Sequence, residues 1–266
     1  MKRKYRHTEF DEFLSAFVGE PENSELYYRA DGFFNELIDQ SNRPEKRFRY
    51  GVGGWLLWLA QRYVRFRLFA KGKDRRRECS ADQPYAFRLL MTPAHQSSLR
   101  PILDRELAEE DCTLYGCGIE GGGESRGGDV EQGLFQSLPV TTVKEFWSAL
   151  ARTLKYLGSL RDGVARLAAA GYAAPHEQFM PRAAELIFRE ELEFSLLARE
   201  ICRHRVLFVT YELIPETKAL VRWVRGAGGR VVHVMHGQRL PMNQITRATD
   251  RVVFSILVLP WFEERM

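Results

Sequence analysis

Side chains that can bind a ligand or transfer a proton follow three apolar runs of the sequence, where each run ends. Glu212 follows one run, and His236 and Gly237 follow another. An imidazole with an ordinary pKa of about 6.5 can serve as a general base near neutral pH, and a neighbouring glycine lets the chain turn sharply after a strand. The full set of candidates is His95, Ser97, Ser98, Arg100, Glu212, His236, Gly237, Gln238 and Arg239.

Each candidate also has a purely structural explanation. A single histidine in a turn is more often structural than catalytic. Glu212 can cap the helix that follows it, since a carboxylate is favourable near a helix N-terminus. Ser97 and Ser98 can likewise cap a helix. The residues alone leave both explanations open.

The apolar runs alternate with helical patterns, which predicts an α/β protein with a parallel sheet flanked by helices. Helix-length segments between strands allow the right-handed crossovers that parallel strands require. Ligands of an open parallel sheet bind outside the carboxyl ends of its strands, so we expect the candidate residues to meet at one edge. Strands are predicted at 85–91, 112–116, 205–212, 230–237 and 251–258.

Helical patterns dominate two other regions. Near the amino end, DEFLSAF and DGFFNELI have apolar spacings that suit short helices. Further along, Thr142 and Glu145 form a capping-box pattern, Gly171 offers a helix end, and Pro181 opens the next helix. The expected organisation is a helical extension over 1–80 and an α/β domain over 81–266, with a helical insertion at about 139–204.

The segment 55–77 combines an aromatic helical face with basic residues. Residues 62–77 contain eight Lys and Arg but one acid, a pattern typical of a helix at an anionic membrane surface. A helix that packs in the core with solvated arginines has the same periodicity, so both interpretations stay open. Nucleic acid is not an expected partner, because the chain has no recognised binding motif and no basic groove is indicated elsewhere.

The sequence argues against several other classes of protein. The mean hydropathy is −0.33, and the start MKRKYRHTEF lacks the apolar region of a secretory signal, so we expect a cytoplasmic protein. The sequence has no GxSxG, GxxxxGK[ST] or HExxH motif. His233 and His236 are three apart, which puts them on opposite faces of a strand and argues against a shared metal. We expect no metal and no cofactor.

The run VLFVTYELIPETKALVRWVRGAGGRVVHVMHGQRLPMNQITRATDRVVFS resembles the end of the amino-terminal domain of a GT-B glycosyltransferase. It is most similar to the bacterial surface-polysaccharide group that includes capsule polymerases such as polysialyltransferases and the related glycerophosphate polymerases. In that group a strand ending in His-Gly precedes a further strand and the linker to a second domain. The run FRLLMTPAHQSSLRPIL resembles the first strand, loop and helix of such a domain more loosely.

This resemblance implies a Rossmann-like sheet that forms the acceptor-side half of a GT-B enzyme. His236 matches the histidine proposed there as base or acceptor-site residue, Gly237 matches its partner, and Glu212 sits where an acidic residue follows the preceding strand. The implied activity is inverting, metal-independent transfer from a nucleotide sugar to a glycan or lipid-linked acceptor, in capsule biosynthesis at the inner face of the cell membrane.

In GT-B enzymes the carboxyl-terminal domain holds most of the nucleotide-linked donor, and this sequence stops about where the linker to that domain would start. The resemblance therefore implies that a further domain or another chain supplies the donor site. The alternative is a non-catalytic, membrane-associated binding module with the same fold.

Overall fold

The chain divides into two compact units. The helical unit comprises Met1–Phe69, Thr141–Ser195 and Arg239–Thr246, and the sheet unit comprises Ala70–Val140, Leu196–Gln238 and Arg247–Met266. Within these units the computed structural model describes residues 6, 9–19, 26–42, 85–88, 112–115, 135–136, 142–173, 175, 179–198, 204–210, 212, 214–234 and 249–252.

The helical unit contains four helices and one short 3-10 turn in its described part. The helices predicted for DEFLSAF and DGFFNELI are both confirmed. The elements are α1 (Phe10–Val18), the 3-10 turn (Tyr27–Arg29), α2 (Ala30–Asn42), α3 (Val143–Ala169) and α4 (Phe179–Leu197). Helices from the predicted extension and from the predicted insertion thus belong to one unit.

The ends of α3 lie where local sequence signals put them. The Thr142 side chain accepts a hydrogen bond from the Glu145 amide at 3.3 Å, and the Glu145 carboxylate accepts one from the Thr142 amide at 2.7 Å. At the other end Gly171 has a φ of 83°, and the Tyr172 amide donates to the Leu167 carbonyl at 3.1 Å. The predicted capping box and terminal glycine are confirmed, and both satisfy backbone groups that a helix end leaves open.

Phenylalanine rings fill the core between α1 and α2. The Phe13 ring centroid lies 4.7 Å from that of Phe34 and 5.1 Å from that of Phe17. Gly163 on α3 allows α1 to approach closely, because a Cβ at this position would lie 2.7 Å from the Phe17 ring. The fully buried phenylalanines are Phe10, Phe13, Phe17, Phe33, Phe34 and Phe179.

The described part of the sheet unit contains six strands, and every pairing among them is parallel, as the sequence predicted. The strands are β1 (Tyr85–Arg88), β2 (Cys112–Tyr115), β3 (Phe135–Gln136), β4 (Val206–Val209), β5 (Arg230–Val234) and β6 (Asp250–Val252). Their spatial order is β3-β2-β1-β4-β5-β6. The strand β4 is shorter than the predicted 205–212, and β3 was not predicted at all.

One helix, α5 (Pro215–Gly226), connects β4 to β5 and packs against both strands. Pro215 stands at its first turn, where a missing amide hydrogen costs nothing. Gly228, with a φ of 83°, ends the helix, and the Gly229 amide donates to the Val224 carbonyl at 2.9 Å. The strand β5 begins directly after this turn and pairs with β4 in parallel.

Across the described ranges, no helix is long and apolar enough to cross a membrane.

Candidate functional site

Buried polar side chains collect where β4 and β5 end and α5 begins. Each of them is less than a tenth exposed, although most residues of these types lie at protein surfaces. A parallel sheet flanked by helices binds its ligands at this end of its strands. The members of this polar cluster are Thr210, Glu212, Glu216, Thr217, Lys218 and His233.

Glu212 and His233 form the centre of the polar cluster. The Oε1 atom of Glu212 lies 3.3 Å from Nδ1 of His233, and the two side chains are 5% and 6% exposed. The contact is electrostatic rather than a well-aligned hydrogen bond, since Nδ1 has no hydrogen-bond partner. It arises from strand register, because His233 pairs with Val209 and Glu212 follows that residue by three positions.

A carboxylate beside an imidazole affects the ring in two ways. It lies beside one of the two ring nitrogens and leaves the other one free of this contact. It also fixes the orientation of the ring. The Glu212–His233 pair therefore anchors β5 at the point where the chain leaves the sheet.

The first turn of α5 supplies three further polar groups of the cluster. Glu216, Thr217 and Lys218 are 4%, 0% and 7% exposed. The hydroxyl of Thr217 is buried without a hydrogen-bond partner. The first turn of a helix also has backbone amides with no partner inside the helix. The start of α5 thus adds both hydrogen-bond donors and acceptors to the polar cluster.

Two arginines occupy the same register row of the sheet as His233. The Cα partners across this row include Arg88 on β1, Val209 on β4, His233 on β5 and Arg251 on β6. Adjacent strands lie about 4.8 Å apart, so Arg251 is one strand from His233 and Arg88 is two. The backbone thus brings two cationic residues to the row that holds His233.

The structure describes only one of the candidates named from the sequence, Glu212. The expectation that the candidates share one edge of the sheet therefore stays a prediction. The segment 55–77 also lies outside the described residues. The candidates outside them are His95, Ser97, Ser98, Arg100, His236, Gly237, Gln238 and Arg239.

Sequence reasoning missed His233 as the partner of Glu212. The available signal was a single histidine inside the apolar strand RVVHV, since an interior strand position buries its side chain and a buried imidazole needs a partner. Thr217 and Lys218 were also missed, because the pattern of α5 is that of an ordinary amphipathic helix. Within the described residues, no group of three or more His, Cys, Asp or Glu side chains is arranged to hold a metal ion.

A second cluster of buried charges lies in the helical unit. The guanidinium of Arg29 donates to both carboxylate oxygens of Glu190, at 2.7 and 3.1 Å, and to Glu191 at 2.7 Å. The cation also lies 4.5 Å from the centre of the Tyr156 ring, and Arg152 pairs with Glu191 at 2.7 Å. Burial lowers the pKa of Arg29, but the two carboxylates raise it by more, so its pKa lies above the ordinary value. These contacts join the 3-10 turn to α3 and α4.

Comparison of this chain with known protein families, curated proteins and solved structures finds no match.

Proposed function

We propose that this chain is a glycosyltransferase-like α/β protein of bacterial surface-polysaccharide biosynthesis. Its sheet unit would be the Rossmann-like, acceptor-side half of a GT-B enzyme. The main support is the buried Glu212–His233 pair at the carboxyl end of a parallel sheet, where ligands of such sheets bind. The strand order β3-β2-β1-β4-β5-β6 also agrees with the order of doubly wound nucleotide-binding sheets.

In the proposed reaction, His236 accepts the proton of an acceptor hydroxyl while that oxygen attacks the anomeric carbon of a nucleotide sugar. The new glycosidic bond forms on the face opposite the departing nucleoside diphosphate, so the configuration at this carbon inverts. Glu212 and His233 anchor β5 three residues before His236. Such anchoring favours catalysis, because a base that is held in place loses less entropy in reaching the transition state.

The proposed substrates are a nucleotide-sugar donor and a glycan or lipid-linked acceptor. Arg88 and Arg251 support an anionic donor, since both lie in the register row of His233. A partner domain or chain completes the donor site, and the segment 55–77 holds the protein at the inner face of the cell membrane. The proposed acceptor-binding residues are His95, Ser97, Ser98, Arg100, Gly237, Gln238 and Arg239.

Calorimetric titration with a panel of nucleotide sugars and a panel of bacterial capsule oligosaccharides tests this proposal. The chain should bind an oligosaccharide by itself, and Glu212→Ala should weaken that binding because the end of β5 loses its anchor. The matched control is Glu145→Ala on α3, which removes a carboxylate from a capping box outside the sheet unit. Transfer is then measured after addition of a donor-binding domain.

Oligosaccharide binding followed by transfer in the reconstituted enzyme would support the proposal. Binding without transfer, with any donor domain and any nucleotide sugar, would favour the non-catalytic binding module instead. Failure of the folded chain to bind any sugar of either panel would refute both.

A further inference from the structure

Three large apolar side chains of α3 are exposed on one face of the helix. Val143, Trp147 and Leu154 are 42%, 60% and 51% exposed, and they are the exposed large hydrophobic residues of the described part of the chain. With a rotation of about 100° per residue, their positions fall within an arc of about 40°. These three residues are called the α3 stripe.

The face of α3 next to the stripe packs in the core of the helical unit. Phe146, Ala149 and Leu150 pack against Ala184 and Phe188 of α4 in the core of the helical unit. A helix at a protein surface usually has one apolar face and a polar face opposite it. Leu150 lies about 20° from Val143 around the helix, and the Trp147 ring meets the Phe146 ring edge-on at 5.6 Å, so the α3 stripe adjoins the core face. Its three side chains nevertheless stay at least 42% exposed.

Cationic residues border the α3 stripe. Lys144 and Lys155 are both exposed and lie on the same flank of the helix, about 80° and 100° from the middle of the stripe. Arg161, also exposed, extends the line of the stripe by two further turns. One exposed acid, Asp162, lies beyond Lys155 on that flank. The surface thus combines a tryptophan, two aliphatic side chains and a net positive border.

We propose that the α3 stripe docks on an anionic lipid surface. Trp147 would sit at the level of the headgroups, where the amphipathic indole ring is favoured. Val143 and Leu154 would enter the acyl boundary, while Lys144 and Lys155 would face the lipid phosphates. This contact is independent of the proposed transferase activity and of the segment 55–77.

The charges on α3 favour a lipid surface over a second copy of the chain. An antiparallel pair of helices that stacks Trp147 on Leu154 brings the same flank of each helix together. Lys144 of one copy then lies near Lys155 of the other, and like charges at this range repel. The segment 55–77 is also an unfavourable occupant, since it is itself strongly basic.

Sedimentation of the full chain with vesicles tests the proposal. The vesicles consist of phosphatidylcholine alone or of phosphatidylcholine mixed with phosphatidylglycerol. We expect the wild type to bind the anionic vesicles. The variant Trp147→Ser/Leu154→Ser should lower the affinity for these vesicles about tenfold, and Lys144→Gln/Lys155→Gln should lower it about fivefold for each lysine. Ser159→Ala is the matched control, because Ser159 is exposed on α3 about 140° from the stripe.

The same substitutions are repeated in a chain that carries Arg62→Gln, Arg65→Gln and Arg67→Gln, which removes basic residues of 55–77. The loss caused by the stripe variants should persist in this background. Equal vesicle binding by the wild type and by both stripe variants would overturn the proposal, and so would equal binding to neutral and anionic vesicles. A dimer that dissociates in Trp147→Ser/Leu154→Ser would assign the stripe to a second copy.

Discussion

Glu212 and His233 belong to neighbouring strand ends, and their side chains meet at 3.3 Å inside the sheet unit. Both side chains are buried, at 5% and 6% exposed, so the contact is shielded from water. The contact depends on the parallel register of β4 and β5, in which Val209 faces His233. The pair therefore depends on the strand order of the sheet, and it joins β5 to the segment that follows β4.

We predict that the Glu212–His233 pair contributes to the stability of the sheet unit. Glu212→Leu should lower the free energy of unfolding by about 3 kcal/mol, because it removes one partner of a buried pair. Glu212→Gln should cost about 1 kcal/mol, since the amide keeps an acceptor of similar size. Urea unfolding measured by circular dichroism gives these values, and hydrogen exchange at the β4 and β5 amides localises the effect.

A double-mutant cycle measures the interaction energy between Glu212 and His233 apart from their other contacts. The cost of Glu212→Leu together with His233→Leu should fall short of the sum of the single costs by about 1 kcal/mol or more. Simple additivity would show that the two side chains do not stabilise each other.

Local sequence signals predicted the ends of the helices well. Thr142, Gly171 and Pro215 act through backbone groups within a few residues of themselves, so the local sequence contains the whole signal. The strand β3 was not predicted, because two residues, Phe135 and Gln136, are too short a run to show an alternating pattern.

The candidate site was less predictable than the helices. The position of Glu212 after a strand was visible in the sequence, but the identity of its partner was not. That partner depends on which residue of β5 lies beside Val209, and a shift of one residue would turn His233 to the other face of the sheet. A prediction that treats each strand separately therefore cannot identify side-chain partners on different strands.

The charge cluster around Arg29 could not be predicted from the sequence, for a related reason. The pattern near the amino end indicates only short helices, yet Arg29 bonds to Glu190, which is 161 residues away. A basic residue at the start of a helix is usually solvated, and no local pattern distinguishes one that is buried.

We predict that Arg29 is essential to the stability of the helical unit. Arg29→Met should cost about 3 to 5 kcal/mol, because Glu190 and Glu191 would stay buried without their principal cation. Arg29→Lys should recover only part of this loss, since an ammonium group cannot form the two-pronged contact with Glu190. Thermal and urea unfolding by circular dichroism measure both effects.

Arg182→Met provides the matched control for Arg29. Arg182 also pairs with a glutamate of α4, Glu185, but its side chain is 46% exposed. An ion pair of this kind contributes about 0.5 kcal/mol or less. Equal losses in Arg29→Met and Arg182→Met would mean that burial adds nothing to the charge cluster.

Two glycines of α3 should respond to alanine with opposite signs. In Gly163→Ala the new methyl group would lie 2.7 Å from the Phe17 ring, so α1 must shift and we expect a loss of about 1 to 3 kcal/mol. In Gly158→Ala the methyl group meets nothing within 4 Å, and the higher helix propensity of alanine should add about 0.5 to 1 kcal/mol. Thermal unfolding of the two variants tests this, and a stabilising Gly163→Ala would contradict the close approach of α1.

Substitutions of His233 and His236 should distinguish an effect on stability from an effect on catalysis. His233 is buried against Glu212, so His233→Gln should lower the unfolding temperature. His236→Gln removes the proposed base, and in an enzyme completed by a donor domain it should lower turnover by about 10²- to 10⁴-fold while the unfolding temperature stays unchanged. Turnover and thermal unfolding are measured on both variants with the same nucleotide sugar. If His236→Gln retains full turnover, His236 is not the base, and if His233→Gln abolishes turnover without loss of stability, the base is His233.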